Sequence, residues 1–316
     1  MSKVYYKELD LVKGIAILLV ILGHSFCTYP INLNVEFPNF SALIRGFQMP
    51  LFFIASGFLF SISKDWGVFL KSKLLRLLMP WFMFSIVSLG LKIVFSSFTR
   101  TGEISILDGF ENLLNGRIYW FLYVLFEIMI LVKLISNRYL LWCTAGVCMF
   151  VTTFTSFSII TYLSIYKVVY YIPYFVLGME LKRNYENLMI KLSKSRIVLI
   201  TIISLIVYIS ALYFNIFDKI YIIIPIAGSI FAWGISLLLV FNDKLNLLFT
   251  HFGHYSLQYY LNHLLIMLPI YLLAKYVGFS NNWLTLFFIF VLATIFSYVM
   301  LQVELKIKTI KVFCGL

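Results

Sequence analysis

The sequence predicts an all-α fold: a polytopic membrane bundle of about ten transmembrane helices, with both termini cytoplasmic. Three observations carry that prediction. Of the 316 residues, 62% are hydrophobic and only 12% are charged, more apolar surface than a water-soluble chain of this length can hide. The apolar residues fall into runs of about 20, the length a helix needs to cross a bilayer. The basic residues are shared unevenly between alternate connections, as the positive-inside rule requires.

The runs lie at 9–29, 41–62, 74–98, 117–136, 139–157, 160–181, 196–214, 220–241, 255–277 and 283–303. Between the fifth and sixth the turn is short and the stretch 152–158 is polar, so these two are the least sharply bounded. With a cytoplasmic N-terminus, 18 of the 25 Lys and Arg fall on the cytoplasmic side. An even number of spans then returns the basic tail (Lys306, Lys308, Lys311) to the same side. Residues 1–8 are short and polar and are expected to hold no cleavable signal peptide. No connection is long enough for a second folded domain, so residues 1–316 read as one membrane domain. The external connection 99–116 carries Glu103, Asp108 and Glu111, and the segment 182–196 is basic and suited to anionic lipid. The net charge of +12 therefore reports topology and contact with membrane lipid, not nucleic-acid binding. Cys27, Cys143, Cys148 and Cys314 have neither metal-ligand spacing nor a disulfide framework. They read as buried apolar cysteines, and no metal site is expected.

The first run, LDLVKGIAILLVILGHSF over 9–26, holds two ionisable groups inside apolar sequence. Lys13 and His24 are eleven residues apart, which on a helix returns the side chain to within about 20° of its starting direction and about 16 Å along the axis. Ionisable residues inside a span usually face the protein interior and mark function. The plainer alternative has Lys13 snorkelling to the interface and His24 sitting near the far headgroups. Asp10, three residues before Lys13, is placed to pair with it. Histidine is the usual general base for removing a hydroxyl proton.

Further candidates follow along the chain. Lys71, Lys73 and Arg76 cluster where the third run begins. They suit a phosphate or an anionic cofactor, or are ordinary positive-inside flanking residues. In the second run, Met49-Pro50-Leu51-Phe52-Phe53 puts Pro50 in mid-span, which predicts a kink lining a cavity. In the fourth, Tyr119 and Trp120 read as interface anchors, and Glu127 is expected to pair within the bundle. In the ninth, His263 lies nine residues beyond His254, about 14 Å deeper. A structural, hydrogen-bonded His263 and a catalytic one are equally open, and Asn262 points to a different face. His251 and His254 are expected in a loop.

These motifs together resemble the acyltransferase-3 family of integral-membrane acyltransferases, over nearly the whole chain. Leu9-Asp10-Leu11-Val12-Lys13-Gly14, with His24 after ten intervening residues, resembles the family's basic-residue–ten–His signature. Met49-Pro50-Leu51-Phe52-Phe53 with Ser56-Gly57-Phe58 is similar to its MPLFF…SGF element. Lys73-Leu74-Leu75-Arg76 followed by Pro80 resembles its RxxR…P element, and Trp120-Phe121-Leu122 its WFL element. Phe175-Val176-Leu177-Gly178 and Ser256-Leu257…Tyr260-Leu261…His263 resemble two later ones. The chain departs in carrying Lys13 and Lys73 where Arg is commoner, which keeps charge but loses the bidentate guanidinium fork.

The resemblance implies an enzyme of the bacterial cytoplasmic membrane, with acetyl-CoA as the acyl donor on the cytoplasmic side. The acceptor it implies is a hydroxyl of a surface polysaccharide or lipid-linked glycan outside. His24 would be catalytic, and Lys13, Lys73 and Arg76 would hold the donor. Asp10, Pro50, Trp120, Glu127 and His263 would support them. No permanently bound cofactor is implied. The competing reading is a polysaccharide exporter or proton-coupled solute transporter in which His24, Glu127 and His263 relay protons. A third is N-acylation or transfer of a longer acyl group such as succinyl.

Overall fold

A computed structural model describes residues 5–26, 38–62, 65–94, 105–154, 162–214, 223–278 and 283–316. Cys27, Lys3, Lys64, Arg100, Glu103 and Lys219, and the connection at 155–161, lie outside the described residues. Among those described, all regular structure is helical. The helices are α1 (Lys7–Ser25), α2 (Pro38–Arg45), α3 (Gln48–Leu59), α4 (Trp66–Lys73), a π turn (Leu74–Leu78), α5 (Met79–Val94), α6 (Ile106–Leu114), α7 (Trp120–Ile135) and α8 (Arg138–Phe154). They continue with α9 (Ile165–Lys191), α10 (Lys194–Tyr213), α11 (Ile223–Leu239), α12 (Asp243–His254), α13 (Ser256–Tyr276), α14 (Trp283–Lys306) and α15 (Lys308–Phe313).

Among the described residues, four stretches are long and apolar enough to cross a membrane by themselves: Pro38–Leu59, Trp66–Val94, Lys194–Tyr213 and Trp283–Lys306. Helices α8 and α11 are apolar but shorter. The chain forms two compact units. One takes the described residues of 1–23, 37–60 and 173–256, and the other those of 24–36, 61–172 and 257–316.

The first unit is built on close helix crossings through glycine. A Cβ on Gly57 of α3 would sit 2.0 Å from the carbonyl oxygen of Phe175, and one on Gly178 of α9 would sit 2.0 Å from that of Ile54. The two glycines of the SGF and FVLG motifs thus face each other's helix backbone, the small-residue packing that lets membrane helices approach. Likewise a Cβ on Gly14 of α1 would meet the Phe249 carbonyl oxygen of α12 at 2.1 Å, and one on Gly253 would meet that of Asp10 at 1.7 Å. Aromatics fill the space left over: half-buried Tyr6 and buried Phe58 and Tyr185 meet edge to face, with centroids 5.0–5.6 Å apart.

Two expectations change here. The second span breaks at Gly46–Phe47, and α3 begins at Gln48, so Pro50, although mid-span, lies in the first turn of a helix. There its missing N–H has no intrahelical partner to lose, so Pro50 starts the helix and does not kink it. His251 and His254 sit on α12, not in a loop. Its Asn242 N-cap side chain accepts from the Leu245 N–H at 3.1 Å, a start signal that distinguishes a short helix from a connection.

In the second unit, α4, the π turn and α5 run on as one rod. The Met79 N–H reaches back five residues to the Leu74 carbonyl. Such turns widen a helix by one residue and are frequent at functional sites. Cys314 is buried, whereas Cys143 is exposed and Cys148 half-buried, against the expectation of buried cysteines. Both lie on α8, whose only buried residues are Leu141 and Ala145.

Candidate functional site

The second unit brings His24 and His263 together. Their ring centroids are 5.2 Å apart and the planes are inclined at 48°. His24 ends α1, and His263 lies on α13 fully buried. The Nδ1 of His263 faces the carbonyl oxygen of Tyr259 at 3.0 Å. A carbonyl only accepts, so that nitrogen carries the proton. Nε2 of His263 has no hydrogen-bond partner among the described residues. One nitrogen is thus fixed by the backbone, and the other remains for chemistry.

A strained corner positions α13. Tyr119, just before α7, adopts φ 48° and ψ 39°, the left-handed region that bulky residues avoid. This costs about 1–2 kcal/mol. Its hydroxyl donates to the Leu261 carbonyl at 2.9 Å. Tyr260 packs against the Tyr119 and Phe121 rings at 5.9 and 5.6 Å, and its own ring lies 5.8 Å from that of His263. From α5, the Trp81 indole donates to the Ile118 carbonyl at 2.9 Å. The corner is therefore tied to α5 on one side and to α13 on the other. Tyr119 is 2% exposed, a buried strut and not the expected interface anchor.

The remaining candidates lie in different surroundings. Lys13 forms an ion pair with Asp10 at 2.6 Å, as its i, i+3 spacing predicts. Asp10 also accepts from the Tyr5 hydroxyl at 2.7 Å. Lys73 and Arg76 bracket the entry to the π turn, Arg76 exposed and Lys73 half-buried with its ammonium 6.0 Å from the Phe69 ring centre. Trp120 stacks on Tyr171 at 5.2 Å, with the Lys167 ammonium 5.0 Å over its face. Glu127 does not show the expected pairing: its Oε2 is buried without a partner among the described residues.

Sequence reasoning missed two features. The motif spacing marks Tyr119 and Tyr260 only as aromatics, since neither the strained φ nor the hydroxyl to Leu261 has a sequence signal. Glu304, 2% exposed, accepts from the Asn262 side chain at 2.8 Å. That pair turns Asn262 away from its neighbour His263, as their adjacent positions on a helix require.

The arrangement can move a proton. A half-buried imidazole stands beside a fully buried one whose tautomer the backbone sets, next to the Tyr260 ring. The family model described as "Acyltransferase domain" matches residues 6–302 of the chain. No curated protein and no solved structure matches it.

Proposed function

The chain belongs to the acyltransferase-3 family, a family of membrane acyltransferases, and from that premise we propose that it moves an acetyl group from cytoplasmic acetyl-CoA to a hydroxyl of a surface polysaccharide or lipid-linked glycan. The paired imidazoles of His24 and His263, inside otherwise apolar helices, are the observation that carries this reading.

In the proposed step, His24 takes the proton of the acceptor hydroxyl as that oxygen attacks the thioester carbonyl. The C–S bond breaks, the O-ester forms, and the coenzyme A thiolate recovers the proton from the imidazole. His263, its Nδ1 tied to the Tyr259 carbonyl, orients His24. Lys73 and Arg76, at the π turn, grip the donor's phosphates, and Lys13, oriented by its ion pair with Asp10, offers a further ammonium N–H donor. An acetyl-histidine route would use the same groups in two steps.

Ten spans with both ends in the cytoplasm, in a bacterial cytoplasmic membrane, put the basic entrance on the donor's side. The experiment is to reconstitute the purified protein with radiolabelled acetyl-CoA inside vesicles and a lipid-linked oligosaccharide in their membrane. Alkali-labile label in the glycan is the expected result. Thioester left intact while solute crosses the membrane would overturn it.

A further inference from the structure

The first unit holds a cavity of about 300 Å³ between α3, α9, α10 and α11. That size is at the lower end of ligand sites, roughly 300–1,000 Å³. Its walls are hydrocarbon: Leu177, Leu188, Leu192, Ile200, Ile230 and Trp233. The two hydroxyl groups on its lining are already committed. Ser229 donates back to the Pro225 carbonyl at 2.7 Å, and Tyr185 donates to Glu8 at 2.5 Å. A ligand with amides or hydroxyls in this space would leave them unpaired, at a cost that excludes a pantetheine arm or a sugar. A hydrocarbon chain fits without such a cost. The cavity is also open sideways, since Leu188, Ile200 and Ile230 line it and are 40%, 41% and 43% exposed.

Charge identifies the other end of the ligand. Leu192, on the cavity edge, is bracketed by Lys191 at the end of α9 and by Lys194 and Arg196 at the start of α10, all three exposed. One Arg196 nitrogen donates to the Lys191 carbonyl at 2.7 Å and holds this turn together. The nearby acids do not cancel the patch. Glu180 is taken by Arg183 at 3.2 Å, and the Lys194 ammonium lies 5.1 Å over the Phe241 ring, with no acid among the described residues in an ion pair with Lys191, Lys194 or Arg196. We propose that this is a binding site for an anionic phospholipid, one acyl chain in the cavity and the phosphate against Lys191, Lys194 and Arg196. The site is separate from the histidine pair and does not depend on the function proposed above.

The test uses the full chain in phosphatidylcholine nanodiscs, with a phosphatidylglycerol probe carrying a photoreactive diazirine in one acyl chain. Labelled residues mapped by mass spectrometry are expected to concentrate in 177–200 and 226–237. Ile230→Trp and, independently, Leu192→Trp fill the opening from an accessible edge, and each is expected to lower that labelling several-fold. Replacing Lys191, Lys194 and Arg196 by Glu is expected to lower it several-fold for phosphatidylglycerol and to leave a phosphatidylcholine probe unchanged. Labelling spread equally over α8 and α14, and unchanged in monodisperse Trp variants, would overturn the site. A phosphatidylcholine probe labelling the wild-type cavity as strongly would overturn the anionic headgroup.

Discussion

His263 stands 5.2 Å from His24, ring centre to ring centre, with its Nδ1 on the Tyr259 carbonyl and its Nε2 without a hydrogen-bond partner among the described residues. A purely structural histidine would have both nitrogens satisfied. His263→Phe keeps a ring in the buried space and removes both nitrogens. We expect kcat to fall by on the order of 10²-fold, the lower range for general acid–base assistance, with the donor KM little changed. Steady-state kinetics on the purified variant, with a melting curve to show that it folds, provides the check.

The Asp10–Lys13 pair should act on donor binding. Its carboxylate, 8% exposed, holds the Lys13 ammonium at 2.6 Å and the Tyr5 hydroxyl at 2.7 Å. Asp10→Asn keeps the shape and removes the charge. It is expected to cost about 1.5–3 kcal/mol of stability, the range for hydrogen bonds to charged groups. Lys13→Ala is expected to raise the donor KM several-fold while leaving kcat near the parent value. An unchanged KM would remove Lys13 from the donor site.

The glycine crossings predict a sharp contrast. Gly57→Ala or Gly178→Ala puts a methyl 2.0 Å from a backbone oxygen, which neither helix can relieve by a side-chain rotation. Each should lose about 1–3 kcal/mol, the range for an overpacked core. Gly146→Ala, with nothing within 4 Å, should leave stability near the parent value. Thermal denaturation in one detergent compares the three.

Thiol reactivity separates two cysteines. Burial, with the Glu304 carboxylate beside it, pushes the Cys314 thiol up to about 12, so almost none is thiolate near neutrality. Cys143 is exposed. Maleimide at neutral pH in detergent solution, read by peptide mass spectrometry, should label Cys143 well ahead of Cys314, which stays unmodified until the protein is denatured.

Much of this organisation was legible in the chain because apolar length and charge are local signals. Lys13 and His24 do lie on one uninterrupted helix, and the Lys13–Asp10 pair follows from spacing alone. The helix boundaries that moved were those where a small feature decides: Gly46–Phe47 breaks a run that reads as continuous, and the Asn242 cap turns an expected loop into α12. The candidate site was legible in its histidines but not in its supports. Tyr119 reads as an interface aromatic, and only its backbone angles and its bond to Leu261 show it to be a strut. Glu127 reads as half of a pair, yet pairing depends on what packs opposite, which single-chain spacing does not encode.

Everything proposed for the site turns on His24 as the group that takes the acceptor's proton. The direct measurement is the rate of label transfer from acetyl-CoA to the glycan by His24→Ala in reconstituted vesicles, with donor binding measured on the same preparation. The expected result is a rate lowered by roughly 10²–10⁴-fold with donor binding retained. Transfer at the parent rate by a folded His24→Ala protein would contradict it.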